Sequence, residues 1–182
     1  VGIEIEIPAK IEIEGTVVVK GDVVASVCNN LTGSGDITLT LDHDNLTLSS
    51  LKTTTVIKSL PAEEFPALPT VEGDSFEIKS SVLTEGIRSV YFAAAVSEIK
   101  PEISSIYLYS EQGMLYIVAT DSFRLAEKRI HTKKAKEFGS VLIPFKNIQE
   151  IIRTLELMKH DMVVHFDTNQ IAFEHEGMYL VS

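Results

Sequence analysis

The densest set of side chains able to bind a metal or move a proton lies near the C-terminal end: His160, Asp161, His165, Asp167 and His175. Imidazole and carboxylate together are the donor set of a metal-dependent enzyme. Here, however, His165 and His175 fall on separate strands of an alternating segment, and no pair has the spacing of a metal-ligand motif. We expect no metal and no cofactor. Asp121 and Arg124 form a second pair of opposite charge, but no nucleophile–base arrangement or phosphate-cradling loop accompanies them, so no catalytic residue is assigned. Cys28 sits on the apolar side of a short helical segment, where the expected role is packing in the core.

With covalent chemistry weakened, charge and composition carry more weight. The chain has 182 residues, 16 Lys and Arg against 26 Asp and Glu, and a formal net charge of −10. That balance excludes a protein that coats nucleic acid with a broadly basic surface, though not one with a local basic stripe. The basic residues are concentrated between Arg88 and Lys159. Hydrophobic residues at 45% and charged residues at 23% are ordinary globular composition. A single cysteine excludes an intrachain disulfide framework and fits a reducing compartment. No apolar run approaches the ~18 residues of a membrane-spanning helix.

The elements follow from periodicity. Ile3–Ile7 and Ile11–Ile13 alternate apolar and polar residues, the pattern of a half-buried antiparallel strand. Val17–Val19 leads into a helix over Asp22–Leu31, ended by Gly33 and Gly35. Strands are predicted over Ile37–Leu41, Leu46–Leu48 and Thr54–Leu60. Residues 60–69 carry three prolines and read as a linker whose Phe65 and Leu68 pack on neighbours. Beyond it come a strand at Ser75–Lys79 and a helix over Ser81–Val96 with Leu83, Ile87, Val90 and Ala94 on one face. A hairpin then joins Ser104–Ser110 to Met114–Thr120, and a strand covers Phe123–His131. After a basic loop at Lys133–Lys136, Val141–Ile143 precedes a Pro144-started helix through Leu157, and strands at Met162–Phe166, Gln170–Glu174 and Met178–Val181 follow.

An internal repeat organises these elements. Val17–Val19, a helix, Asp36–Asp42 and Asn45–Leu48 match Val141–Ile143, a helix, Asp161–Asp167 and Gln170–Phe173 in order and character. The repeating unit is the size of a small domain. The chain opens and ends inside strand-like patterns, so we expect it to be a piece of something longer.

The segments Leu60–Pro69 (LPAEEFPALP), Phe92–Ala95 (FAAA) and above all Val118–Ala126 (VATDSFRLA) resemble the bacterial DNA sliding clamps, the beta subunits of DNA polymerase III. The resemblance runs along nearly the whole chain in the correct order. It implies an α+β DNA-clamp fold, in which repeated modules of two helices pack on antiparallel sheets. Residues 1–69 would be a partial first domain, with the linker at 60–69, and residues 70–182 a second domain lacking its C-terminal end. The implied function is that of a non-enzymatic processivity factor: a homodimeric ring around duplex DNA, without sequence preference, that tethers the replicative polymerase. The clamp loader and repair proteins would bind through short linear motifs. The implied location is the bacterial cytoplasm, at the nucleoid, with no membrane contact.

Carried over position by position, the resemblance makes Arg88, Lys100, Lys146 and Arg153 DNA-facing. Arg88 lies opposite the apolar face of its helix, and Lys146 and Arg153 lie seven residues, about two turns, apart. It makes Thr120, Ser122, Phe123, Arg124 and Leu125, with Ile103, one wall of a cleft for partner peptides. An apolar groove supplies affinity there, while a threonine hydroxyl and backbone polar groups fix orientation. The sequence departs from the family at Ser122 and Phe123, where Gly and His are common, at Lys100-Pro101-Glu102, where aromatic residues occur, and at Asp22, a commonly basic position. Those last two differences imply weaker DNA contact. Two rival classes stay open from sequence: a clamp-like interaction adaptor without ring function, and a small metal-dependent enzyme built on the histidines.

Overall fold

The computed structural model describes residues 1–31, 35–42, 44–97, 99–132 and 138–182. The expected basic loop at Lys133–Lys136, Gly33 and His43 lie outside the described residues. The chain forms two compact units, one of Val1–Ile7 with Leu68–Ser182, the other of Pro8–Ala67. Sequence grouping puts residues 1–69 together. In the structure the first seven residues join the larger unit, because strand β1 (Gly2–Ile5) pairs antiparallel with strand β12 (Met178–Val181), Ile3 opposite Leu180.

The larger unit has two antiparallel sheets joined by two helices. Strands β1, β12, β11 (Ile171–His175), β10 (Asp161–Phe166) and β5 (Asp74–Lys79) form one sheet in that order. Strands β8 (Leu125–His131), β7 (Met114–Thr120), β6 (Ser105–Glu111) and β9 (Phe138–Pro144) form the other. Helix α2 (Ser80–Val90) leaves the first sheet from β5, and helix α3 (Phe145–Leu157) leads from β9 back to β10. Both helices are crossovers between sheets, so both are covered by apolar side chains from each.

The predicted apolar face of α2 is the buried one: Leu83, Ile87, Val90 and Ala94 are almost entirely sealed. Ile148, Ile151, Ile152 and Leu155 of α3 meet them in one core with Ile106, Leu115, Ile117, Ile143, Val164 and Phe173 of the sheets. Helix α2 stops at Val90 instead of reaching Val96. A 3-10 turn occupies Tyr91–Ala93, and Ala94 is extended (ψ 147°) so that the Ala95 N–H can reach the Ile103 carbonyl at 2.8 Å. Pro144 ends β9 with its fixed φ of −58°, and the Phe145 N–H donates to the Ser104 carbonyl at 2.9 Å as α3 begins. The β6–β7 hairpin closes on Gln112-Gly113, both at positive φ, the two-residue turn that matches strand twist.

In the smaller unit, strands β2 (Thr38–Asp42), β3 (Asn45–Ser50) and β4 (Thr53–Lys58) make a meander, with Val18 bridged to Leu60. Its buried apolar residues among those described are Leu46, Leu48 and Ile57. Several expectations change here. Helix α1 covers Gly21–Asn29 and buries no residue, so Cys28 is exposed rather than in a core. Ile11–Ile13 is not a strand, and Val17–Val19 contributes only the Val18 bridge. In β1, Ile3 and Ile5 are exposed on a sheet edge, so the alternation there marks a strand without a buried face.

One glycine tests the packing of the five-stranded sheet. A Cβ on Gly73, just before β5, would run into the backbone carbonyl of Phe166 on β10, the strand paired with β5. Gly73→Ala is expected to lower the stability of the larger unit by about 1–3 kcal/mol, read as a fall in the urea midpoint. An unchanged midpoint would show that the strands separate there without cost.

Candidate partner-binding turn and helix face

The turn between β7 and β8 is tied by two short polar side chains. Asp121 Oδ1 accepts from the N–H groups of Phe123 and Arg124, each at 3.0 Å, and Oδ2 accepts from Arg124 Nε at 2.9 Å. Thr120 Oγ1 donates to the Arg124 carbonyl at 2.8 Å and accepts from the Ser122 N–H at 3.2 Å. Asp121 and Arg124 are therefore a structural clamp within one turn. The Thr120 hydroxyl has its proton committed to the turn, leaving acceptor capacity for anything that docks.

This bonding presents apolar surface outward. Phe123 is 97% exposed and Leu125 66% exposed. The Arg124 guanidinium lies 5.8 Å from the ring centre of Phe92, itself 54% exposed, in cation–π geometry. Phe92 thus belongs beside the turn. Its exposure next to two buried alanines, Ala93 and Ala94, is the signal that sequence reading passed over. Ile103 is half-buried in the loop before β6, bonded to Ala95.

The four cations do not form one cluster. Lys146 and Arg153 lie on the exposed face of α3, and Arg88 on that of α2. Arg88 Nη2 pairs with Glu156 Oε1 at 2.6 Å, joining the two helices, and Arg153 Nη1 pairs with Glu150 Oε1 at 2.7 Å. Sequence analysis missed both glutamates, although their spacing to Lys146 and Arg153 puts them on the same helix face. Lys100 is exposed, and its carbonyl anchors the following loop by accepting from the N–H groups of Ile103 and Ser104.

The histidines line an open groove of about 870 Å³ with Lys79, Lys159 and Asp161. His165 Nε2 is 3.0 Å from Glu174 Oε2, across the β10–β11 pair, and His175 Nδ1 is 2.9 Å from the Asp161 carbonyl. They are engaged one by one, and no group of three or more His, Cys, Asp or Glu among the described residues converges on a point that could hold a metal.

With this geometry, the chain can be set beside known proteins. The family model described as the DNA polymerase III beta subunit, N-terminal domain, matches residues 1–69, and that of the central domain matches residues 77–182. The chain belongs to the DNA polymerase III beta subunit family. The beta sliding clamp of Buchnera aphidicola from Acyrthosiphon pisum is 28% identical over 97% of this chain and 50% of its own length. That of Halalkalibacterium halodurans is 27% identical over 93% and 46%. The crystal structure of the beta subunit from Thermotoga maritima superposes with a TM-score of 0.88 at 28% identity, covering 98% of this chain and 49% of that one. The Bacillus subtilis sliding clamp shares the fold at a TM-score of 0.86, with 23% identity over 99% and 50%. The chain spans about half the length of the curated relatives it matches. The α+β clamp fold expected from the sequence is the fold observed.

Family membership gives the Ser122 departure a physical meaning. Ser122 has φ 75°, the left-handed region that favours glycine, the residue the family resemblance implies at this position. A side chain there costs about 1–2 kcal/mol. The five side-chain hydrogen bonds within the turn oppose that cost.

The N–H groups of Phe123 and Arg124, and then the Arg124 side chain, hold the Asp121 carboxyl below its ordinary value of 3.8. A depressed carboxylate pKa favours the folded turn above the ordinary value, and the contribution disappears as pH falls through the depressed one. NMR titration of the Asp121 carboxyl carbon is therefore expected to show a midpoint below 3.8, with the Phe123 and Arg124 amide signals shifting at the same pH. In Asp121→Ala those amide shifts disappear. A midpoint at or above the ordinary value would contradict the clamp.

Proposed function

We propose that this chain is part of a DNA sliding clamp, a processivity factor that encircles duplex DNA and tethers the replicative polymerase. The observation that carries the reading is the succession of two different domains of one subunit, in order, along a single chain. On this reading the protein is not an enzyme. It acts topologically, as a homodimeric ring in the cytoplasm. Duplex DNA passes without sequence preference, since phosphate contacts carry no base information. No described helix is long and apolar enough to cross a membrane.

Two surfaces divide the work. Arg88, Lys100, Lys146 and Arg153 face the phosphates. Thr120, Ser122, Phe123, Arg124 and Leu125, with Ile103, receive short linear motifs of the polymerase, the clamp loader and repair proteins. Exposed Phe123 and Leu125 support this second assignment, because apolar side chains held out by a bonded turn offer anchorage with little ordering cost.

The complete gene product, loaded on a nicked circle by its clamp loader, is expected to stay bound and to leave rapidly once the circle is cut. Equal retention on circular and linear DNA would sink the ring and favour the adaptor. For the second surface, Leu125→Ala is expected to weaken a polymerase-tail peptide by about tenfold, the loss of one buried anchor, measured by fluorescence anisotropy. Unchanged affinity would remove Leu125 from the cleft.

A further inference from the structure

The cations assigned to DNA are not idle in the free protein. Arg88, on the exposed face of α2, and Arg153, on that of α3, are each bound to a carboxylate of α3. The Arg88–Glu156 pair also lines a groove of about 580 Å³ between α2 and α3, together with Ser81, Ser89, Lys159 and Thr84. Thr84 is buried, and its hydroxyl has no hydrogen-bond partner among the described residues. The Thr84 hydroxyl is sealed from solvent and the groove also carries Glu85, so what the groove offers a phosphate oxygen is the cations Arg88 and Lys159. Glu156 occupies the cation such a phosphate would take.

We infer that Glu156 and Glu150 are built-in competitors for DNA phosphates, each withholding one arginine until a phosphate displaces it. The inference rests on the DNA-facing reading of these helices. Its physical basis is the weakness of solvent-exposed ion pairs, which exchange partners readily. A duplex phosphate arriving at Arg88 or Arg153 must break a pair and tolerate the released carboxylate close by. The face then contributes fewer net phosphate contacts than its cations would allow. Residence at any one register is short as a result.

A role confined to holding the helices together makes a different prediction, so the salt dependence of binding separates the two. The experiment measures the affinity of the complete gene product for a fluorescent duplex as a function of salt, in wild type, Glu150→Gln/Glu156→Gln and Arg88→Gln/Arg153→Gln. A fourth protein, Glu4→Gln/Glu111→Gln, makes the same change in net charge on strands β1 and β6, away from these helices. Freeing two arginines is expected to steepen the slope of log affinity against log salt by about 1–2, at roughly 0.9 per phosphate contact. Affinity at low salt should rise by about tenfold, with the curves converging at high salt. The fourth protein should keep the wild-type slope. If the first double variant keeps the wild-type slope, or the fourth steepens as much, the competition is overturned while the DNA-facing reading stands. If the arginine variant binds as wild type does, it is the DNA-facing reading that fails, and this inference with it.

Discussion

Ile87 and Val90 of α2 and Ile148, Ile151 and Leu155 of α3 have no surface left to water, and each is packed against strands of the larger unit's common core. Burying such a side chain is worth about 1.5–3 kcal/mol, so neither helix can roll by even one residue without exposing several of them. That restriction decides everything on the other side of the helices. With the apolar stripes fixed inward, Arg88, Lys146, Glu150, Arg153 and Glu156 have to project outward, and the cross-helix pair between Arg88 and Glu156 follows from where the core has put them. The same packing brings the Tyr91–Ala93 turn against β7 and β8, which is why Phe92 meets Arg124.

The β7–β8 turn solves a different problem. The peptide-binding role proposed for this turn would require it to expose apolar side chains without letting them collapse onto the protein. Here backbone N–H groups are drawn to the Asp121 carboxylate and the chain passes through a left-handed residue at Ser122. The turn cannot fold Phe123 back, because its neighbours on both sides are hydrogen-bonded. Rigidity comes from polar atoms, while the contact surface is apolar. The hydroxyl that a sequence reading gives to the ligand is used to build the platform.

Much of the larger unit was legible in the sequence because its two periods are unambiguous. Leu83-Ile87-Val90 and Ile148-Ile151-Leu155 can only be one face of a helix, and the segments around Gln112-Gly113 and Gly177 alternate cleanly between turn residues. The smaller unit was read less well, for a reason that is also physical. Periodicity reports which side chains a helix or strand would bury, given something to bury them against. At α1 the predicted apolar face of Val23, Val24, Val27 and Leu31 meets β4 and is only partly buried, so the pattern predicted a core that is only partly formed there and leaves Cys28 exposed. At the candidate site, the motif proposed the positions but not how their polar atoms are bonded. Spacing shows that Glu150 and Arg153 share a face, but only coordinates show which cations are already spoken for.

The net charge of −10 looks at first like an obstacle to a DNA partner. On the proposed ring reading, in which the subunit must neither let go of DNA nor stick to it, the charge is a consistent choice. Topology supplies retention, so the inner contacts need supply only alignment, and each added fixed phosphate contact would deepen the well at one register and slow escape to the next. Pairing Arg153 with Glu150 along one helix, and Arg88 with Glu156 across two, would make those wells shallow without removing the cations. The acidic excess elsewhere opposes adhesion of DNA to the outside. If the subunit slides, low affinity per contact is a requirement, and the proposed reading has it met twice, in the overall charge and in the two carboxylates beside the arginines.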